Sequence, residues 1–497
     1  MRPGGGRGGT LVTTGSGGGN GASGGNSGAT GAGGLGTINT SDSGLGTMGP
    51  CAEDGWICRI DACDGQPKTS VRAKIYDPAG KVPLYNVAVY VPNAPLAEIA
   101  TGPVCETCAT PVSGKPVASA LTDAHGEFLM QDVPVGVGVP LFIQIGKWRR
   151  LIQMPEVKAC QENAFSDPQL FRLPKNQAEG HLPKIALTTG EADSLECLLR
   201  RIGVSDSEFT NPDGPGRINL YNDDLNDSNS ADPATSSYAR GGTFPLVSQL
   251  FASNESLAQY DITLMSCQGS ESAGRAKTTA HKQVLKTFLD NGGRAFLEHY
   301  HYSWLRGGVI VGNMVTMPSA EGATIDYQRK YTQTPFPPIA VWQSPVDPFA
   351  YAPGGDSTYS IDTSFFKGSD MADWLVNVGA STTRGQISLI DVRNPATSTL
   401  PDVAQRWIWA DTLGVPYLSA NTPIEKAATP DQQCGRLVHT GIHVAKVTND
   451  QVAPFPGGCR AGDLSPQEKA MEFLLFDLSS CVISDKTKNK PPDVIVR

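Results

Sequence analysis

From Val71 the apolar positions recur with a period of two: Val71, Ala73 and Ile75 alternate with Arg72 and Lys74, and Val87, Val89 and Val91 alternate again after the turn Asp77-Pro78-Ala79-Gly80. This predicts a hairpin of half-buried strands. A second set follows, with Leu121 to Phe128 entering a strand, a turn at Val133-Pro134-Val135-Gly136, and a strand from Pro140 to Gly146. At Pro183 the pattern changes. Lys184 to Thr189 is a short apolar strand, and Leu195, Leu198, Leu199 and Ile202 fall on one face of a helix that Gly203 ends. Strands at Arg217–Tyr221, Tyr260–Met265, Arg294–Tyr302 and Arg436–Val444, with a helix His281–Asn291 stopped by Gly292-Gly293, complete an alternation that predicts a mainly parallel sheet. Residues 305–400, rich in Gly, Pro and Ser, read as a long insertion with one helix at Met371–Val378. Ser465-Pro466-Gln467-Glu468 is a capping box with Pro at the first helical position, and Met471, Phe473, Leu474, Leu475, Phe476 and Leu478 make the helix it opens apolar over more than one face. That helix should be buried.

The period change divides the chain of 497 residues. We expect a Gly/Ser-rich disordered linker over 1–50, a Cys-rich segment over 51–66, a β-sandwich over 67–178 and an α/β domain over 180–485. Twenty of the 55 glycines fall in residues 1–50, where only Arg2, Arg7 and Asp42 are charged, so that stretch cannot bury enough apolar surface to fold. Met1-Arg2-Pro3-Gly4 lacks the apolar stretch of a signal peptide, and Met1 is expected to lie inside a longer linker or downstream of a removed signal.

Charge and cysteine usage narrow the function. The net charge is -9 with no Lys/Arg block, which argues against a nucleic-acid partner. No apolar run approaches the roughly 18 residues of a membrane span. The 11 cysteines point to an oxidising compartment, and the odd count leaves at least one thiol unpaired. Disulfide candidates are Cys51, Cys58, Cys63, Cys105, Cys108, Cys160, Cys434 and Cys459, with Cys434 expected to pair with Cys459 across the late strand. No metal or cofactor is expected, because no H-E-x-x-H or H-x-x-E-H spacing occurs.

Three turn signatures in order, Asp77-Pro78-Ala79-Gly80, Thr122-Asp123-Ala124-His125-Gly126-Glu127-Phe128 and Val133-Pro134-Val135-Gly136, make residues 69–175 resemble the carboxypeptidase regulatory-like module, a transthyretin-like β-sandwich. The insert from Asn93 to Pro116, with Cys105-x-x-Cys108, departs from that module's minimal pattern. Tyr260-Asp261, Gly292-Gly293-Arg294 and Gly435-Arg436 to His443 resemble the class I glutamine amidotransferase-like fold, of flavodoxin-like architecture, and more closely its ThuA-like relatives. Where those amidotransferases carry a nucleophilic cysteine this chain reads Leu297-Glu298-His299-Tyr300, and Ala445 stands where the triad acid is expected after His443, so the resemblance implies no glutaminase activity. From the Cys51 cluster to Cys481 the chain resembles an exported family, of the myxobacterial kind, that joins these two modules and has no assigned reaction.

The residues left to carry chemistry are histidines. His299, His301, His439 and His443 are four of seven in the chain. In strands, residues two or four apart share a face, so His299 is expected beside His301 and His439 beside His443, with Tyr300, Tyr302 or Trp304 lining the same cleft. Cys267 ends the preceding strand, and Glu298 precedes His299. Against any catalytic use stands the ordinary role of buried histidines as hydrogen-bonding groups. Lys147-Trp148-Arg149-Arg150 can stack on a sugar, although Arg beside Trp at a strand end is usually packing. The expectation is a non-catalytic secreted or cell-surface protein that binds carbohydrate or cell-envelope components. The alternative is an extracellular hydrolase or lyase acting on saccharides through the His-lined cleft.

Overall fold

Seven strands build the amino-terminal half: β1 (Ser70–Lys74), β2 (Ala88–Pro92), β3 (Pro116–Leu121), β4 (Glu127–Gln131), β5 (Pro140–Ile145), β6 (Trp148–Gln153) and β7 (Glu162–Ala164). They pair as two sheets, β4-β1-β7 and β3-β2-β5-β6. The alternation explains the arrangement. Val71 and Ala73 of β1, Phe128 and Met130 of β4, and Leu141, Ile143 and Ile145 of β5 are buried, while their strand neighbours other than Ser70 are partly or fully exposed, so the sheets share one core. The computed structural model describes residues 55–223, 236–269, 277–306, 309–311, 314–316, 324–326, 334–342, 357–393, 395–425, 429, 431–444 and 453–495. The expected linker 1–50 and Cys51 lie outside the described residues.

The remaining strands are β8 (Ile185–Thr189), β9 (Phe209–Thr210), β10 (Ile218–Asn222), β11 (Ile262–Met265), β12 (Arg294–Glu298), β13 (Val309–Val311), β14 (Met314–Thr316), β15 (Thr324–Asp326), β16 (Ala340–Trp342), β17 (Ser357–Ile361), β18 (Gln386–Leu389), β19 (Ala396–Thr399), β20 (Gln405–Ala410), β21 (Gly414–Thr422) and β22 (Gly435–Thr440). Ten of them form one sheet in the order β18-β17-β20-β21-β22-β12-β11-β8-β10-β9. Pairing is parallel from β9 to β22 and antiparallel from β22 to β18. The sheet is therefore mixed rather than mainly parallel. Two causes are visible: the hairpin β20–β21 continues the sheet past β22, and β17 and β18, inside the stretch expected as an insertion, extend it further. Every residue of β8, β11, β12 and β22 is buried, as strands covered on both faces require.

Four longer helices flank the sheet: α1 (Leu195–Arg201), α2 (Thr279–Asp290), α3 (Phe366–Asn377) and α4 (Pro466–Ser479). Among the described residues no helix is long and apolar enough to cross a membrane. The Ser465–Glu468 capping box is formed, and α4 is buried almost throughout. Its Phe476 meets Trp148 edge-on at 5.9 Å between ring centroids, and Phe473 stacks on Tyr85 at 5.5 Å, so one side of α4 packs on the sandwich. Its other side packs on the sheet, and a single core runs from Val71 to Leu478. Residues Cys51–Arg497 form one compact unit. At the junction Gly146 takes a positive φ of 52° and lies so close to the Ser479 carbonyl that no side chain fits. Beside it, Asp261 accepts from Lys147 Nζ (2.6 Å), the Lys184 amide (2.5 Å) and the Gly102 amide (2.8 Å), tying the sandwich hairpin to the entrance of β11.

Four disulfides brace this unit: Cys63–Cys160, Cys105–Cys434, Cys108–Cys481 and Cys197–Cys459; Cys58 is also disulfide-bonded. The expected Cys434–Cys459 pair is not formed. Cys434 precedes β22, which carries the chain roughly 20 Å away before it turns, so Cys434 meets Cys105 while Cys459 meets Cys197 of α1. Non-reducing peptide mapping is expected to return these four pairs, and replacing Cys105 and Cys434 together by Ala should cost about 2–5 kcal/mol in denaturant unfolding. Recovery of a Cys434–Cys459 peptide would contradict the assignment.

A second expectation concerns pH. Glu472 of α4 is fully buried, and neither carboxyl oxygen has a hydrogen-bond partner among the described residues. Burial, with Asp77 nearby, pushes its carboxyl well above the ordinary 4.5. Asp77 is itself raised to about 6 by burial, against the amide donors of its turn. Groups shifted this way hold protons in the folded state that the unfolded chain has released, so their contribution to stability falls as pH rises through the window between the two values. Glu472→Gln should therefore stabilise the protein at about pH 8 and gain less at about pH 5, read as Tm against pH. A gain that grows toward low pH would show the sign to be wrong.

Candidate functional site

The carboxyl ends of β8, β11, β12 and β22 come together, and the chain leaves each of them with a polar side chain. β11 stops at Met265, which places Cys267 two residues beyond it; the loop after β8 folds over that turn, with Gly190 so close to the Cys267 carbonyl that a Cβ would collide with it. β12 stops at Glu298, and His299 turns the chain into a short 3-10 helix with φ of 34°, a left-handed conformation for a non-glycine residue. Backbone strain of this kind points toward a functional position. β22 stops at Thr440, and His443 lies three residues further on.

These endings correct the expected pairing. His299 and His301 sit in a turn rather than on one strand face, and His443 lies past the strand that holds His439. The structure instead brings His299 to Cys267 and His443. Cys267 Sγ is 3.3 Å from His299 Nδ1, and the rings of His299 and His443 meet edge-on at 5.5 Å. One donor atom from each of Cys267, His299 and His443 falls within 4.8 Å of the other two. His443 Nδ1 donates to the Asp391 carbonyl at 3.2 Å, which leaves the lone pair of a neutral ring on Nε2.

The other two histidines act through main-chain oxygens. Trp304 Nε1 can only donate, and it donates to His301 Nδ1 at 3.2 Å; His301 Nε2 therefore carries the proton given to the Ser266 carbonyl at 2.8 Å. His439 Nε2 donates to the His299 carbonyl at 3.0 Å. Each fixes the backbone beside a member of the Cys267–His299 pair. Tyr300, Tyr302 and Trp304 were expected to line a cleft. They are buried, with Tyr300 against the His299 ring, Tyr302 stacked on Trp342, and Trp304 tilted on Phe251. Their faces pack on protein rather than forming an open platform.

Behind the thiol stand two carboxyl groups, one of which sequence reasoning missed. Glu298 accepts from the Cys267 amide at 2.8 Å. Asp193 accepts from the amides of Ser194 (2.9 Å) and Val444 (2.7 Å), joining the β8 loop to the segment after β22. Its only signal in the sequence is its place just past the end of the first parallel strand. Burial, then the adjacent Asp193, push Glu298 well above the usual carboxylate range. Burial also pushes the Cys267 thiol up, and Glu298 and Asp193 add to the shift. It drives His299 well below 6.5 and His439 down to about 4. Burial thus favours the protonated form of the Cys267 thiol and the neutral forms of the His299 and His439 rings.

A different feature lies at the amino ends of the same strands. A cavity of about 600 Å³ is walled by the sandwich loop around Glu98 to Val112, the hairpin turn with Lys147 and Arg149, the ends Asp261 and Arg294, and the carboxyl-terminal stretch at Lys490 to Asp493.

No family model and no curated protein matches the chain. Two solved structures from Acetivibrio cellulolyticus show partial likeness. One is a C-terminal interface mutant of a type II cohesin-X-dockerin complex, with TM-score 0.14, 17% identity, and coverage of 29% of this chain and 75% of that chain. The other is an N-terminal interface mutant of the same complex, with TM-score 0.15, 16% identity, and coverage of 30% and 88%. At these TM-scores no shared fold follows.

Because Cys267 is fully buried and the only free cysteine among the described residues, iodoacetamide at about pH 8 should leave it unmodified in the native protein and label it once on unfolding. Rapid native labelling would mean an exposed, reactive thiol.

Proposed function

We propose that the protein is an extracytoplasmic binding protein without catalysis of its own, which takes a polar ligand, of saccharide or cell-envelope chemistry, into the cavity between its sandwich and its large sheet. The cavity carries this reading. Its volume, about 600 Å³, falls in the range of small-ligand pockets, and both halves of the molecule contribute its walls. Arg149, Glu98, Gln144 and Asp493 offer donors and acceptors there, and no aromatic ring among the described residues lines it, which favours a ligand held by hydrogen bonds over one held by stacking. The buried thiol, with its proton held by burial and by two carboxyl neighbours, also favours binding over nucleophilic chemistry.

The folds proposed for the two halves are the transthyretin-like, carboxypeptidase regulatory-like sandwich and a flavodoxin-like, class I glutamine amidotransferase-like sheet. Counted in chain order, β8, β10, β11, β12 and β22 stand in the order 2-1-3-4-5, and this supports the second assignment. The disulfides support secretion or display at the cell surface, in an exported family of the myxobacterial kind.

A hydrolase or lyase of saccharides is the competing function, favoured by the 3.3 Å contact of Cys267 Sγ with His299 Nδ1. Calorimetric titration with soluble cell-wall saccharide fragments separates the two. Binding without turnover is expected, and Ile99→Trp, which fills the cavity from its loop, should weaken it at least about tenfold with Tm unchanged. Turnover of the fragments, or equal binding by Ile99→Trp, would count against the cavity.

A further inference from the structure

We propose that Cys267, His299 and His443 form a three-donor site for a soft divalent cation of the zinc class. The site lies at the carboxyl ends of the strands, opposite the cavity, and stands independently of what the cavity binds. Its first support is donor chemistry. One thiol and two imidazoles form a set that suits zinc over calcium or magnesium, which take oxygen ligands.

Geometry is the second support. A tetrahedral zinc with ordinary bond lengths holds its sulfur and nitrogen donors roughly 3.4–3.6 Å apart. Cys267 Sγ and His299 Nδ1 are 3.3 Å apart, and the three donor atoms lie within 4.8 Å of one another. Side-chain movements on the order of 1 Å close the set around an ion without moving a strand.

The surroundings supply the third. Metal-bound histidines characteristically give their second ring N–H to a carbonyl or carboxylate, which fixes the tautomer and aims the lone pair. His443 does this through Nδ1 and the Asp391 carbonyl, and its Nε2 has no hydrogen-bond partner among the described residues. The backbone around the donors is held in turn: His439 bonds the His299 carbonyl, Glu298 the Cys267 amide, and Asp193 the Val444 amide next to His443. On binding, the Cys267 S–H bond breaks, its proton leaves to solvent, and the sulfur pair forms the bond to the metal. Three protein donors leave the fourth tetrahedral position for water or a small anion.

The test uses the full chain, stripped with a chelator and dialysed against Zn²⁺ or Co²⁺. We expect one metal per chain by elemental analysis, and with Co²⁺ a near-ultraviolet thiolate-to-metal charge-transfer band. Cys267→Ser should abolish that band, and His443→Gln should weaken retention by roughly ten-fold or more. Wild-type protein that retains no metal, or that binds Co²⁺ without the band, overturns the proposal whatever the variants do. So does a band that survives Cys267→Ser. Should Cys267→Ser not fold, the wild-type band and the His443→Gln affinity decide the question. Saccharide titration of the stripped protein reads the cavity separately, so failure of one proposal leaves the other measurable.

Discussion

Four charged side chains buried around helix α4 hold the two halves of this molecule in register. Asp477 receives Lys367 Nζ at 2.7 Å and Arg436 Nη2 at 3.0 Å, and Arg436 also reaches Asp485 at 2.9 Å. Two cations face two anions, so the cluster is neutral as a whole, which a buried set of charges requires. Burial works against the Asp477 carboxylate, but Lys367 and Arg436 outweigh it and hold the group below the usual carboxylate range. The members come from α3, β22, α4 and the tail after it. Trp407 Nε1 and Arg436 Nη2 both bond Ser419 Oγ, which draws β20 and β21 into the same network. With α4 fixed on the sheet, Phe473, one turn before Asp477, and Phe476 beside it meet Tyr85 and Trp148 of the sandwich.

The same arrangement separates two candidate sites. Arg436 lies near the amino end of β22 and His443 beyond its carboxyl end. Doubly wound sheets bind ligands beyond the carboxyl ends of their strands, and there the chain gathers Cys267, His299 and His443. The sandwich covers the amino ends, where the cavity opens between Lys147, Asp261 and Arg294. One rigid sheet thus presents two chemically unlike environments. One is buried and built from sulfur and imidazole; the other is partly open and lined with charges and amides.

Local signals in the sequence foretold local structure. The capping box and the apolar run after it announced α4, and the buried strands β8, β11 and β12 were visible as short apolar runs between helical faces. The histidine pairing was not legible, because period-two reasoning holds only while a strand continues. β12 ends at Glu298 and β22 at Thr440, and the left-handed turn at His299 has no glycine to mark it. The cysteine pairs were hidden for another reason: separations of 329 and 373 residues carry no local trace. The outer strands were within reach. Tyr359 with Ile361 and Ile387 with Leu389 keep the period of two inside a stretch whose composition suggested a long insertion with one helix.

The bridge from Cys108 to Cys481 also settles how the molecule would carry a mechanical load. Tension applied between residue 55 and residue 495 travels along the chain to Cys108, crosses the disulfide, and leaves through the last few residues after Cys481. The stretch spanned by that bridge, with the large sheet and the Cys267, His299 and His443 cluster within it, lies outside the covalent load path, whereas the cavity walls at Glu98 to Thr107 and Lys490 to Asp493 lie on it. A pull that strips the sandwich's first strands would leave the sheet unstretched until the disulfide is reduced.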